Sequence, residues 1–221
     1  MGLNENGAFG RLDKYQLHPK HRSAKPIIRF SPRQVRLKPG ASQVVRVIAR
    51  RRSLQEGEYR SHMLLSTLPV LSDANLGDQQ EKDLVLVQSS SSSNIGVTIP
   101  VIVRQGSTDT SVIPEKTVIK FNDSGVGGRI DLQLGLRGNR SAYGDIEVTQ
   151  KIGGKEKTIA VLKSFALYFP YAREQVSISL RPDVNRQSFN SNSKLRVRFK
   201  NKSVDSNKKY WLDETVTPII E

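Results

Sequence analysis

His18-Pro-Lys-His21 sets two imidazoles three residues apart in a chain that has only one other histidine, His62. A metal centre would need that pair to share one geometry and to recruit further ligands. The intervening proline and lysine oppose this, and no carboxylate cluster joins them, so the stretch reads as a solvated basic loop. Gly125-Val-Gly-Gly128 lacks the Gly-Lys-Ser/Thr that must follow in a phosphate loop. Asn139-Arg-Ser-Ala-Tyr-Gly144 has the residues of a turn and not of a nucleophile elbow, and Asp213-Glu214 reads as solvated charge in an unpatterned tail. Cysteine is absent, which removes thiolate nucleophiles, thiolate metal sites and disulfides while leaving the compartment open. No catalytic constellation emerges, and no cofactor or metal is called for.

Charge is the next source of chemistry. The 221 residues include 35 Lys and Arg against 21 Asp and Glu, a formal +14. Such a surface attracts nucleic acid, anionic lipid or acidic protein without choosing among them. Arg50-Arg51-Arg52 is its densest run. Reading bases would also require stacking aromatics or a recognition helix among the cations, and aromatics make up only 6% of the chain. Arginines that close a strand also guard its edge against aggregation. Nucleic acid is therefore not the favoured partner, though a basic polyanion-binding β protein remains the alternative reading.

The elements that could position a binding surface are short and strand-like. IIRF, QVRL, SQVVRVIAR, EYRSHMLLSTL and GVTIPVIV fill the first half, with turn residues at Lys38-Pro39-Gly40 and Gln55-Glu56-Gly57. In SQVVRVIAR, Val45, Val47 and Ala49 share one face, and Arg46, Ile48 and Arg50 the wetter one. Residues 69 to 94 form a long polar connection ending in Ser89 to Ser93 and interrupted by Leu84-Val85-Leu86-Val87; a connection of that length tends to be functional or mobile. After QGSTDTSVIP at 105–114, read as a linker, come KTVIKF, RIDLQLGLRG, GDIEVTQKI, KTIAVLKSFALYF, EQVSISL, KLRVRF and TVTPII. About seven short strands separated by turns fit an immunoglobulin-type sandwich. The expectation is all-β, with one unit over 1–105 and a second over 113–221. No apolar stretch is long enough to span a membrane, and the opening residues lack the hydrophobic segment of a signal peptide.

The strip NIGVTIPVIVRQG, residues 94–106, alternates Ile95, Val97, Ile99, Val101 and Val103 with Gly96, Thr98, Pro100, Ile102 and Arg104. A proline cannot donate to a ladder, so Pro100 confines the strand to an edge or a bulge. An edge whose apolar face is uncovered is a template for adding a strand from a partner. A plain core strand with a harmless edge proline satisfies the same periodicity.

IIRFSPRQVRLKPGASQVVRVIARR, then GEYRSHMLLSTLP, then GVTIPVIVRQG, resemble the first domain of the PapD-like periplasmic chaperones of pilus assembly. LQLGLRGNRSAYGDIEV and KSFALYFPYAREQVSISL are similar to the second domain, so the likeness runs in order from about Pro26 onward. The resemblance implies two immunoglobulin-like β-sandwich domains and a periplasmic location. It further implies pilin-like subunits as partners, an outer-membrane usher beside them, and neither cofactor nor metal. Such chaperones lend a strand of the first domain to a subunit that lacks one. By resemblance the lending strand holds Ile95, Val97, Ile99 and Val101, continued upstream through Leu84 and Leu86.

This chain departs from the family pattern in three places. Family members carry a signal peptide and at least two strands before the SPRQVRL region, and an early strand gives a cleft arginine that anchors the subunit's carboxylate. Here NENGAFGRLD resembles the loop after those strands, so the first domain is expected to be incomplete, with exposed edges. The family's cleft lysine falls near Pro100, which leaves Arg104 as the candidate carboxylate contact on charge alone. Ser89 to Ser93 stand where relatives carry part of the apolar motif.

Overall fold

The structure, a computed structural model, describes residues 2–3, 9–10, 18–50, 53–67 and 95–221. They form an all-β protein with no α-helix among the described residues. Along the chain the first strands are β1 (Gly2–Leu3), β2 (Phe9–Gly10), β3 (Ile28–Ser31), β4 (Arg46–Ala49), β5 (Gly57–Ser66) and β6 (Gly96–Gln105). They make three separate antiparallel pairs, β1 with β2, β3 with β4 and β5 with β6.

The second half contains β7 (Thr110–Phe121), β8 (Gly128–Gly138), β9 (Ala142–Ile152), β10 (Lys155–Leu167), β11 (Arg173–Ser179), β12 (Leu195–Asn201), β13 (Tyr210–Val216) and the short β14 (Ile219–Ile220). One sheet runs β10-β9-β12-β13 and the other β11-β8-β7-β14, with β14 parallel to β7. The first, second and fifth long strands thus share a sheet, and the third, fourth, sixth and seventh share its partner. That crossover pattern is of immunoglobulin type, with the fourth strand carried beside the third.

Alternation explains why these sheets face each other. On β8, Ile130, Leu132 and Leu134 are fully buried, and on β12 Leu195, Val197 and Phe199 are too. Ile146 and Val148 of β9 and Ile119 of β7 complete the contact layer. Each such side chain contributes roughly 1.5–3 kcal/mol by leaving water. β10 edges toward the opposite sheet as well: Ala160 bridges Leu180, and the Arg181 N–H donates to the Ile159 carbonyl at 2.8 Å. Glycine is required where β7 turns into β8. Gly128 has φ +132°, and a Cβ there would run into the Lys120 carbonyl.

Three expectations need correction. Gln34–Leu37 is not a strand: it lies between Pro32 and Pro39, pairs with no other described residue, and leaves Val35 and Leu37 exposed. The 105–114 linker is shorter than expected, because Thr110–Pro114 already pairs with β8. Asp213 and Glu214 are not in an unpatterned tail but on β13, where Asp213 accepts from Arg196 at 2.7 Å. Leu84–Val87, Ser89–Ser93 and Arg51–Arg52 lie outside the described residues.

Candidate functional site

β6 has a partner strand on one side only among the described residues. β5 runs antiparallel to it from Gly57↔Gln105 to Ser66↔Gly96, with Pro100 opposite His62. Beyond the strand, the Thr67 N–H donates to the Ile95 carbonyl at 2.9 Å, which extends the ladder by one residue. The other edge of β5 is occupied over its buried half. There the Arg60 N–H donates to the Arg22 carbonyl at 2.9 Å, and Ser23 bridges Arg60 in parallel. Among the described residues no further strand pairs with β6.

Burial along β6 is graded. On the face identified from alternation, Ile95 is 71% exposed, Val97 58% and Ile99 40%. Val101 is half-buried and Val103 buried. Cross-strand neighbours continue the apolar strip, since Val97 lies opposite Leu65 and Ile99 opposite Met63, with Leu65 itself exposed. One end of the two-stranded ribbon is therefore fixed, while the other projects with its aliphatic side chains in water.

The fixed end is held by charge. Glu58 and Arg104 lie directly opposite each other in the ladder, with an Arg104 nitrogen 3.0 Å from the Glu58 carboxylate. The Glu58 side chain is almost completely buried. It also accepts from the Ser141 N–H at 2.8 Å and makes a short bond with the Ser141 hydroxyl. Arg104 further donates to Asp205 at 2.7 Å, and Arg140 reaches the other Asp205 oxygen at 2.8 Å. Burial works to raise the Asp205 carboxyl, but Arg104 and then Arg140 hold it below the usual carboxylate range. Arg140 also stacks over Trp211, whose indole N–H donates to the Tyr143 carbonyl at 2.9 Å. The cluster ties the ribbon to the turns before β9 and β13.

Arg104 accordingly meets carboxylates, and both belong to this chain. Sequence reasoning missed Glu58, Ser141, Arg140 and Asp205, which are separated by up to 147 positions. The one local signal was a glutamate and an arginine, Glu58 and Arg60, inside a strand-like run. Arg60 is buried with its guanidinium 4.3 Å from the Tyr168 ring centre, and burial lowers its pKa. The histidines sit nearby in structural roles. His18 Nδ1 accepts from the Lys20 N–H at 3.1 Å, and its ring meets Tyr171 edge-on. Burial first, and then Arg60, lowers the pKa of both His21 and His62. No group of three His, Asp or Glu is placed to hold a metal among the described residues.

Chemically the arrangement offers exposed aliphatic side chains on a strand that one described neighbour pairs with, backed by the Glu58–Arg104–Asp205–Arg140 ion cluster. Compared with known proteins, the chain matches no protein-family model and no curated protein.

Proposed function

We propose that this chain is a chaperone of surface-fibre subunits that lends β6 to a partner missing one strand of its own sheet. The observation that carries the reading is the strand β6, which among the described residues pairs along its length with β5 alone and bears Val97 and Ile99 in solvent. A subunit that lacks a strand exposes the complementary defect, a groove with unpaired backbone groups and empty apolar pockets. Adding β6 would satisfy the backbone at about 1 kcal/mol per hydrogen bond. Each aliphatic seated in the groove would contribute roughly 1.5–3 kcal/mol more.

In this reading Ile95, Val97, Ile99 and Val101 form the binding strip and the protein acts without catalysis, cofactor or metal. Pilin-like subunits are its clients, an outer-membrane usher receives them, and the work takes place in the periplasm. Arg104 is assigned to the internal cluster, so affinity for a subunit's carboxylate is not placed on it.

The test is capture of a co-expressed pilin-like subunit by the full chain. Val97→Asp and Ile99→Asp, both at exposed positions, are expected to abolish capture while thermal unfolding of the second half is unchanged. Undiminished capture by both variants would refute strand lending.

A further inference from the structure

The net charge is not spread over the molecule. Between Asp13 and Glu56 the sequence carries twelve of its 35 Lys and Arg and none of its 21 Asp and Glu, leaving 23 against 21 elsewhere. Nearly the whole excess therefore comes from one stretch of about forty residues.

Nine of the twelve are described, and eight of those are exposed, among them Lys25, Arg29, Arg33, Arg36, Lys38 and Arg46. None of the nine ion-pairs with a described carboxylate. Arg29 donates to the carbonyls of Pro26 and Ile28, and Arg22 to that of Glu56. The second half behaves oppositely: Asp145, Glu147, Glu156 and Asp213 each hold a lysine or arginine within 3.3 Å. Interleaved with the unpaired cations are exposed apolar groups, with Val44 83% and Ile48 55% in water.

From this segregation we propose that the face of residues 18–50 docks an acidic polypeptide surface. That surface belongs to the same partner that receives β6, so the inference rests on the strand-lending reading. A second copy of the chain is disfavoured because it would bring +14 against +14. An anionic lipid surface fits poorly, since among the described residues β3 and β4 pair only with each other, and hydrocarbon cannot satisfy the backbone groups at their outer edges. Nucleic acid lacks its stacking platform. The one Phe, Tyr or Trp in the stretch 18–50, Phe30, already lies under Arg33 at 5.8 Å. An acidic strand-bearing protein answers all three features, by complementing the charge, covering the aliphatics and pairing the edges. Unpaired exposed cations act mainly on encounter, so they speed association more than they slow release.

The probe is a ten-residue peptide of alternating valine and glutamate, compared with its valine–serine counterpart, on the full-length chain by stopped-flow anisotropy. The glutamate peptide is expected to associate about tenfold faster than the serine one, and about tenfold slower once Arg29, Arg33, Arg36 and Lys38 are all changed to Gln. Release is expected to change less than about twofold in that variant. Val97→Asn should do the reverse, hastening release with association unchanged. Three results would overturn the acidic partner. They are no binding of the glutamate peptide, equal rates for both peptides or for the Gln variant, and tighter binding of phosphatidylglycerol vesicles or duplex DNA through the same four residues. If those results came with faster release from Val97→Asn, strand lending would stand without the charged face. If Val97→Asn released the peptide no faster, the assignment of β6 itself would fall.

Discussion

Residues 110–220 and residues 18–105 are built from the same strand-like alphabet, yet among the described residues only the first of these stretches closes on itself. In the second half the inward side chains of β8, β9 and β12 meet an opposing sheet and are sealed. In the first half Ala24 and Val103 are the buried apolar residues, while Phe30, Val47, Leu64, Leu65 and Val97 stand in water. The difference lies in what each strand has to face. Four strands against four bury their inward apolar rows, whereas the separate β3–β4 and β5–β6 pairs leave apolar side chains exposed.

The comparison breaks first at the core. Phe199→Ala removes a fully buried ring and is expected to cost about 3–5 kcal/mol, read as a lowered midpoint in the denaturant unfolding of Trp211 fluorescence. A loss of under about 1 kcal/mol would mean the sandwich is not the stable unit.

A somewhat smaller effect is expected where the halves join. Arg104→Ala leaves the Glu58 carboxylate buried without its cation, at a cost of about 3 kcal/mol. The cost should appear as faster amide exchange in β5 and β6, with the Trp211 transition nearly unmoved. Equal destabilisation of both halves would contradict the view of Arg104 as a junction residue.

The smallest effect is a pH response of the same junction. Because the folded Asp205 carboxyl is held below its usual range, its contribution is complete above about pH 4, the unfolded carboxyl value. It is lost as pH falls further, through the folded value. Acid titration followed by exchange should therefore loosen β5 and β6 before Trp211 unfolds, and Asp205→Asn should flatten that response. Loosening on raising the pH would reverse the expected sign.

Much of this architecture was legible in the sequence. Ile130, Leu132, Leu134 and Leu136 alternate without interruption in RIDLQLGLRG, and the structure buries all four on one face of β8. β13 escaped because its pairing with β12 shifts between Phe199 and Lys200, which turns the adjacent Trp211 and Leu212 both inward. Two neighbouring apolar residues facing one way defeat a period-two reading. Gln34–Leu37 had the alternation of a strand but no described neighbour to pair with, and pairing is a property of the fold. Of the site, Pro100 narrowed β6 to an edge or a bulge, and among the described residues β6 pairs along its length with β5 alone. The junction could not be read from the sequence, because Glu58, Arg104, Arg140 and Asp205 meet only after both halves have folded.

The central claim concerns one edge, and amide exchange along β6 tests it most directly. Upon capture of a strand-incomplete subunit, the N–H groups of Gly96–Gln105 other than Thr98 that β5 does not pair should become protected, with Pro100 the silent position. Capture that left those amides exchanging at their free rate would contradict the account.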